Sequence, residues 1–506
     1  MSLRTDTGAS RRPPFDRLLI ANRGEIAVRV ARACRELGIS PIAVHSDVDA
    51  DALHVRAADR SERIGPAAAA ESYLSIEAIL DAARRSGAQA IHPGYGFLSE
   101  RAEFARAVEA AGIVFVGPPP DALASLGDKL AARRSAAAAG VPIVPGTEVA
   151  VTDDLDLVAA VGLPVMLKAA AGGGGRGMRR VDTLDDLPSA LATARREAHA
   201  AFGDGTVYAE RLVSPARHVE VQLLGDRHGR LAVLGERDCS VQRRHQKLVE
   251  ESPSPAVDEP LREALFDSAR RVATTVPFHN AATVEFLVDG DGNHYFLEMN
   301  TRLQVEHGVT ELVTGLDLVA WQIRVAAGEP IPEELRSAER RGHAIEVRCY
   351  AEDPYHGFVP TAGRIGAWRL PDGPGVRVDA GIEGDTDLRP EYDPLLAKLL
   401  VWADDRPAAL ARLRRALDEL AIGGLQTDAG FLRWLVDDDA FVSGDYDTSL
   451  IETRWHDGPP LTDAEAALAA RAALSARLDA PPTTTPRAAP AATPWAEAAR
   501  RDGLRR

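Results

Sequence analysis

Cysteine is scarce in this chain. Cys34, Cys239 and Cys349 are three among 506 residues, odd in number and far apart. That excludes a disulfide framework and points to a reducing compartment. Long apolar runs are missing too. No stretch reaches the length needed to cross a bilayer, and residues 1–14 are polar with no hydrophobic signal region. The expectation is a cytoplasmic protein with no membrane partner. Positive charge is also short: the net charge is −16, where a nucleic-acid binder would present a basic face, so no nucleic-acid partner is expected. Lysine is the scarcest cation. Only four of the fifty-nine Lys and Arg side chains are lysine: Lys129, Lys168, Lys247 and Lys398. A chain so biased toward arginine should keep lysine where a planar fork will not serve, as beside a phosphate or a small anion.

What is present is an ordinary globular composition, 45% hydrophobic and 26% charged, in a chain too long for one core. Two to four domains are expected. Leu18-Leu19-Ile20-Ala21 reads as a strand, residues 25–37 as a helix with Ile26, Ala27, Val30, Ala31, Cys34 and Leu37 at helical spacing, and Gly38 as its stop. Pro41-Ile42-Ala43-Val44, Ala90-Ile91 and Ile113-Val114-Phe115-Val116 continue an alternation that predicts a parallel α/β sheet over about the first 120 residues. An Ala-rich helix over 129–139 leads to a second unit with strands at 164–168 and 207–210 and a helix near 184–201. From about Arg217 the pattern is strand-rich, with helices near 260–275, 316–327 and 406–420. The last segment, from about Leu461, has a linker composition, and no short internal repeat occurs.

Three of the four lysines border distinctive motifs. Lys129 ends Gly127-Asp128-Lys129. Lys168 precedes Gly172-Gly173-Gly174-Gly175-Arg176-Gly177, a loop whose amides can approach a polyphosphate but which lacks the Lys-Ser or Lys-Thr of a Walker loop. Lys247 ends the run Glu236-Arg237-Asp238-Cys239-Ser240-Val241-Gln242-Arg243-Arg244-His245-Gln246-Lys247. A charge run is usually a solvated face, and this one adds positive potential suited to a small anion. His92-Pro93-Gly94-Tyr95-Gly96 reads by itself as a structural turn. Two apolar segments, 284–288 and 294–298, flank Asp291-Gly292, a two-residue hairpin signal. That register sets Glu285 opposite Glu298, where like charges repel unless a divalent cation joins them, and carboxylates suit magnesium. If the chain continues extended, Glu298, Asn300, Arg302, Gln304 and Glu306 share one face.

Together these motifs resemble the biotin carboxylase family of ATP-grasp ligases. The resemblance runs to about residue 450 through Ile20-Ala21-Asn22-Arg23-Gly24-Glu25-Ile26-Ala27, His92 to Glu100, Gly127 to Lys129, Gly172 to Met178, Arg217 to Glu220, Glu236 to Lys247, Glu298 to His307, His343 to Arg348, Tyr392-Asp393-Pro394 and Lys398. It implies an α/β (α+β) chain with the ATP-grasp fold: an N-terminal Rossmann-like parallel-sheet domain over 15–125, a linker and mobile lid over 126–211, a catalytic body over 212–335, a mixed α/β C-terminal domain over 336–455 and an Ala/Pro-rich tail over 456–506. It implies ATP binding by Lys129, Lys168, Gly173, Gly174, Gly175, Met178, Glu210, Arg211, Val213, His218, Gln242, His245, Glu285, Leu287 and Glu298. Glu285, Glu298 and Asn300 match the magnesium positions, where Mn2+ can substitute. Lys247, Arg302, Gln304, Val305 and Glu306 match the bicarbonate pocket; Tyr95 and Arg348 match the biotin site.

The activity so implied is ATP- and bicarbonate-dependent carboxylation of biotin through carboxyphosphate. Glu306 would be the base, Arg302 and Lys247 would hold the anion, and Arg348 would steady the ureido anion. Because no lysine follows Lys398, the biotin is expected on a separate carrier protein and the acyl-CoA on a separate carboxyltransferase, with the chain as a homodimer within a larger complex. Thr493-Pro494-Trp495 with Arg500, Arg501 and Arg505 could dock those partners or fray. Another bicarbonate-using ATP-grasp ligase, or an inactive scaffold, remains as an alternative; the Arg302–Glu306 run, Arg348 and Tyr95 favour biotin. Two departures stand out. Ala170-Ala171 replaces the family's usual Ser-Gly, with altered lid flexibility expected, and Gly308 replaces its usual proline, which should loosen the segment after the base.

Overall fold

The computed structural model describes residues 13–147, 149–151, 155–170 and 178–456. Gly173, Gly174 and Gly175 lie outside the described residues, as does the tail beyond His456.

Short buried runs alternating with amphipathic helices build the first layer. Strands β1 (Arg17–Ile20), β2 (Ser40–Ser46), β3 (Arg60–Gly65), β4 (Ala90–His92) and β5 (Val114–Phe115) form a parallel sheet in the order β3-β2-β1-β4-β5. The helix Gly24–Glu36 buries Ile26, Ala27, Val30, Ala31 and Cys34, as its spacing predicts. The sequence pattern missed β3. It is an edge strand of sequence Arg-Ser-Glu-Arg-Ile-Gly with only its last two residues buried, and such edges carry charge in place of alternation.

A small antiparallel sheet follows, ordered β7-β6-β8 from β6 (Val165–Ala169), β7 (Arg179–Val181) and β8 (Val207–Arg211). Val165, Leu167 and Val181 pack there with Leu187, Leu191 and Ala194 of the helix Leu187–Phe202. Ala170 is buried, and its amide donates to the Thr206 carbonyl at 2.9 Å, so that part of the departure sits in ordered backbone.

The largest layer is an eight-stranded antiparallel sheet. It contains β9 (Ala216–Gly225), β10 (Leu231–Arg243), β11 (Gln246–Ser252), β12 (Asn280–Asp289), β13 (His294–Asn300), β14 (His343–Tyr350), β15 (Val376–Ala380) and β16 (Leu395–Ala403), in the order β13-β12-β9-β10-β11-β14-β16-β15. Alternation gives its β9 and β12 two unlike faces. Val219, Val221, Leu223, Val284 and Phe286 pack in one core with Ala132 and Ala136 of the helix Lys129–Ala138 and with Leu265, Phe266 and Val272 of the helix Glu259–Ala273. His218, Glu220, Gln222, Thr283 and Glu285 take the other face. All five are buried, so a polar cluster sits inside the molecule.

Two buried histidines make the fold acid-sensitive. Burial drives the pKa of His54 and of His92 from 6.5 down to about 4. Between those values the unfolded chain binds more protons than the folded one. The contribution of these two histidines is therefore full above about pH 6.5 and is lost as pH falls toward 4. Thermal unfolding followed by circular dichroism at fixed ionic strength should show a midpoint that drops across that window. His54→Gln, which keeps a donor for the Val44 carbonyl that His54 Nε2 approaches at 3.2 Å, should make the drop shallower.

Candidate active site

The hairpin of β12 and β13 places Glu285 directly opposite Glu298, but not by a two-residue turn. The loop is three residues long. The Gly292 amide donates to the Asp289 carbonyl at 3.1 Å, and the Asp289 amide to the Asn293 carbonyl at 2.9 Å. Gly292 takes the left-handed conformation, φ 80°, that this loop class requires. The extra loop residue shifts the register by one, and a bulge at Leu297, between the pairs Glu285–Glu298 and Phe286–Phe296, shifts it back. The two acids share a face because two irregularities cancel.

The strand then stops at Asn300, so residues 298–306 are not one extended face. The chain curls through an irregular segment that still converges. Asn300 Nδ2 donates to Glu285 at 2.8 Å and lies 3.4 Å from Glu298; Gln304 Nε2 lies 3.3 Å from Glu285. Arg302 reaches Gln304 Oε1 at 2.8 Å, Asn300 Oδ1 at 3.4 Å and Glu100 at 3.2 Å. Two carboxylates and an amide are the hard oxygen donors magnesium takes, and the amide can turn its oxygen inward by a side-chain flip. These residues fit the ion.

Lys247 is the centre of the cluster. Its ammonium lies 2.7 Å from Glu220, 3.0 Å from Glu285 and 2.7 Å from Glu306. Burial alone would lower its pKa, but Cys239 and these three acids raise it well above the ordinary value. Glu306 is held from the other side by Arg348 at 3.0 Å, and Arg348 also pairs with Glu250. Burial works to raise the Glu306 carboxyl, yet Lys247, Arg348 and Arg237 hold it well below the carboxylate range. Glu285 is likewise lowered against burial, by Lys247 and by His218, whose Nε2 is 2.8 Å away.

The nucleotide candidates surround this core. Lys129 pairs with Glu298 at 2.9 Å. Lys168 pairs with Glu210, and Arg133 pairs with the same carboxylate. In this state the ammonium groups expected on phosphates hold acids, and the Glu210 side chain is wholly engaged. The Arg211 amide donates to the Pro145 carbonyl at 2.8 Å. Leu287 faces His218 across β12 and β9. Met178 and Val213 are half-buried and Arg211 is exposed. Gln242 is buried on β10, and the turn into β11 is Arg244-His245 with φ of 48° and 67°. Two non-glycine residues in the left-handed region form a strained turn of the kind found at functional sites. Burial, with Lys168, His218 and Lys129 nearby, lowers the His245 pKa.

Tyr95 donates its hydroxyl to Glu25, and the Val305 carbonyl accepts from Lys398. The run 236–247 is not a solvated face: Glu236, Arg237 and Asp238 are buried strand residues. Gly308 is not loose either. It lies in the first turn of the helix His307–Thr314, where a Cβ would overlap Leu400 Cδ2 and stand 3.2 Å from Glu346.

Sequence reasoning missed Glu220, Arg237 and Glu250 as site residues. Arg237 is fully buried and reaches Glu220 at 2.5 Å, Gln222 at 2.7 Å and Thr310 at 2.9 Å. A signal existed, since His218, Glu220 and Gln222 alternate with Val219, Val221 and Leu223, a polar face on a strand too apolar to be solvated.

The geometry coincides with matches along nearly the whole chain. The family models "Biotin carboxylase, N-terminal domain", "Carbamoyl-phosphate synthase L chain, ATP binding domain" and "Biotin carboxylase C-terminal domain" match residues 14–123, 128–334 and 346–453. A biotin carboxylase of Nostoc sp. is 50% identical over 441 residues, covering 87% of this chain and 99% of that one. The chain belongs to the biotin carboxylase family. Solved structures of that family superpose closely. The Campylobacter jejuni biotin carboxylase in complex with β,γ-ATP gives a TM-score of 0.85 at 44% identity, covering 87% of this chain and 99% of that one. The biotin carboxylase domain dimer of the Hydrogenobacter thermophilus 2-oxoglutarate carboxylase, with MgADP, ADP and bicarbonate, gives 0.86 at 42%, covering 88% and 99%. Fold and site chemistry thus match a biotin carboxylase of the ATP-grasp type, a ligase. Among the described residues no helix is long and apolar enough to cross a membrane.

Proposed function

We propose that this chain carboxylates biotin on a separate carrier protein, using ATP and bicarbonate, as the first half-reaction of an acyl-CoA carboxylase. One observation carries the reading: a buried carboxylate, Glu306, is gripped between Lys247 and Arg348, and Lys247 also touches Glu285 of the facing acid pair.

Each group has a role that its position supports. Lys129 and Lys168 hold the phosphates of ATP; the amides of Gly173 to Gly175, outside the described residues, join them on the family pattern alone. Glu285, Glu298 and Asn300 hold Mg2+, or Mn2+ in its place, and the bound ion offsets charge spreading over the phosphoryl group. Arg302, Gln304, Val305 and Lys247 hold bicarbonate. Glu306, ionised from the start, takes its proton as the anion attacks the γ-phosphorus, which breaks the bond to the β,γ-bridging oxygen and gives carboxyphosphate and ADP. The cations that keep Glu306 ionised also make it a weak base. Bicarbonate drawing on Lys247, and the biotin ureido oxygen drawing on Arg348, would return basicity to it. Carboxyphosphate breaks to carbon dioxide and phosphate, and the phosphate takes the proton of the biotin ureido N–H. Arg348 stabilises the resulting ureido anion as its nitrogen attacks carbon dioxide, with Tyr95 beside the ring, and lid closure excludes water. A biotin carboxyl carrier protein and a carboxyltransferase are the partners this reading requires, and a homodimer is its assembly.

Purified protein should cleave ATP only when bicarbonate is present, and faster with free biotin. Bicarbonate dependence without a biotin response would indicate another bicarbonate ligase, and no turnover would indicate a scaffold.

A further inference from the structure

Three of the four lysines meet acids inside the site. The fourth, Lys398, is completely buried on β16, which pairs with β14 so that Lys398 lies directly opposite Arg348. Two cations facing each other across neighbouring strands repel, so the position needs a reason. Glu25 and Glu346 are near, at 3.5 and 3.7 Å. The shortest polar contact of the ammonium is with neither acid. It donates at 2.5 Å to the backbone carbonyl of Val305, the residue before Glu306. In a trans peptide the carbonyl and the next amide point in opposite directions, so gripping the Val305 carbonyl fixes the Glu306 amide and the Cα that carries the base. Glu25, on the helix Gly24–Glu36, accepts the Tyr95 hydroxyl with the oxygen that faces Lys398. One ammonium therefore ties the loop bearing the base to the tyrosine wall across the site. A guanidinium is too broad for a cage of one carbonyl and two carboxyls, which explains a lysine in an arginine-rich chain.

We propose that Lys398 is a positioning residue: its ammonium clamps the Val305 carbonyl and, through Glu25, the Tyr95 hydroxyl, and so sets the bicarbonate side of the site against the biotin side. The clamp rests on the reaction assigned above. It also stays charged, because Glu25, Glu346 and Asp379 outweigh the burial that would lower its pKa.

The test is Lys398→Met beside the parent, with ATP cleavage measured against bicarbonate, ATP and biotin, and ADP binding by calorimetry as the check of fold. Misplacing a base by about 1 Å costs on the order of 100-fold, so kcat/KM for bicarbonate should fall by about that factor while the KM for ATP and the ADP affinity hold. A merely structural lysine would instead lower the ADP-binding stoichiometry in step with the activity, leaving kcat/KM for bicarbonate per ADP-binding site at the parental value, and that result overturns the proposal. The double variant K398M/E25Q leaves no unpaired acid from that pair and should show the same split if the single variant fails to bind ADP. If neither variant binds ADP, Lys398 supports the whole fold and the clamp is refuted. Loss of bicarbonate dependence in the parent itself would count against the assigned reaction and not against the clamp.

Discussion

Glu306→Gln should reduce bicarbonate-dependent ATP cleavage by about 10²- to 10⁴-fold, the usual contribution of a positioned base, with ATP affinity unchanged. Glutamine keeps the size of the side chain and an acceptor oxygen but cannot take up a proton at neutral pH. The fold should tolerate the change. Lys247 retains Glu220 and Glu285, and Arg348 retains Glu250, so neither cation is left without an acid. Because the nucleotide lysines pair with Glu298 and Glu210 and not with Glu306, calorimetric ATP binding should match the parent. Release of ADP, followed with and without bicarbonate and biotin, reads the loss directly. Near-parental turnover would remove Glu306 from the mechanism.

Lys247→Met should be damaging in two ways. It deletes the cation shared by Glu220, Glu285 and Glu306, three acids buried within 3.0 Å of it. Stranding buried acids costs about 3–5 kcal/mol when one partner of a buried pair is removed, although Arg237, Arg348 and His218 still touch one acid each. A lower midpoint in urea is expected. Catalysis should fall as well, by about 10²- to 10³-fold or more, since a fixed charge aimed at the reacting anion is lost. Because the acids also draw their ionisation from Lys247, the activity that remains should need higher pH. The expectation fails if the variant keeps both the denaturation midpoint and the bicarbonate response of the parent.

The elements that were legible in the sequence are those whose signal is local. The Gly24–Glu36 helix and the strands β1, β2 and β4 follow from spacing and apolar runs within a few residues. The facing of Glu285 and Glu298 was also legible, but from an incorrect turn, because the bulge at Leu297 undoes what the longer loop does. A bulge has no marker in an apolar strand, so that cancellation could not be read. The arrangement around Lys247 was harder. Its three acids come from β9, β12 and the segment after β13, which the order β13-β12-β9-β10-β11 brings together over separations of 27, 38 and 59 residues. Pairing of that range depends on the closed sheet and not on neighbours in the chain. Arg237 was hidden for a related reason: it lies in a charged run that composition assigns to solvent, and it is an interior residue through contacts with Glu220, Gln222 and Thr283 on neighbouring strands and Thr310 on a helix.

The contact between Gly308 and Leu400 has a consequence for how this chain can vary. Leu400 occupies the volume that a ring at position 308 would need, and it is fixed there among Val309, Val313 and Ala344. Neither site can drift alone. A bulkier 308 demands a trimmed 400, and a trimmed 400 beside glycine opens a void next to the base, so the two positions behave as one hereditary unit.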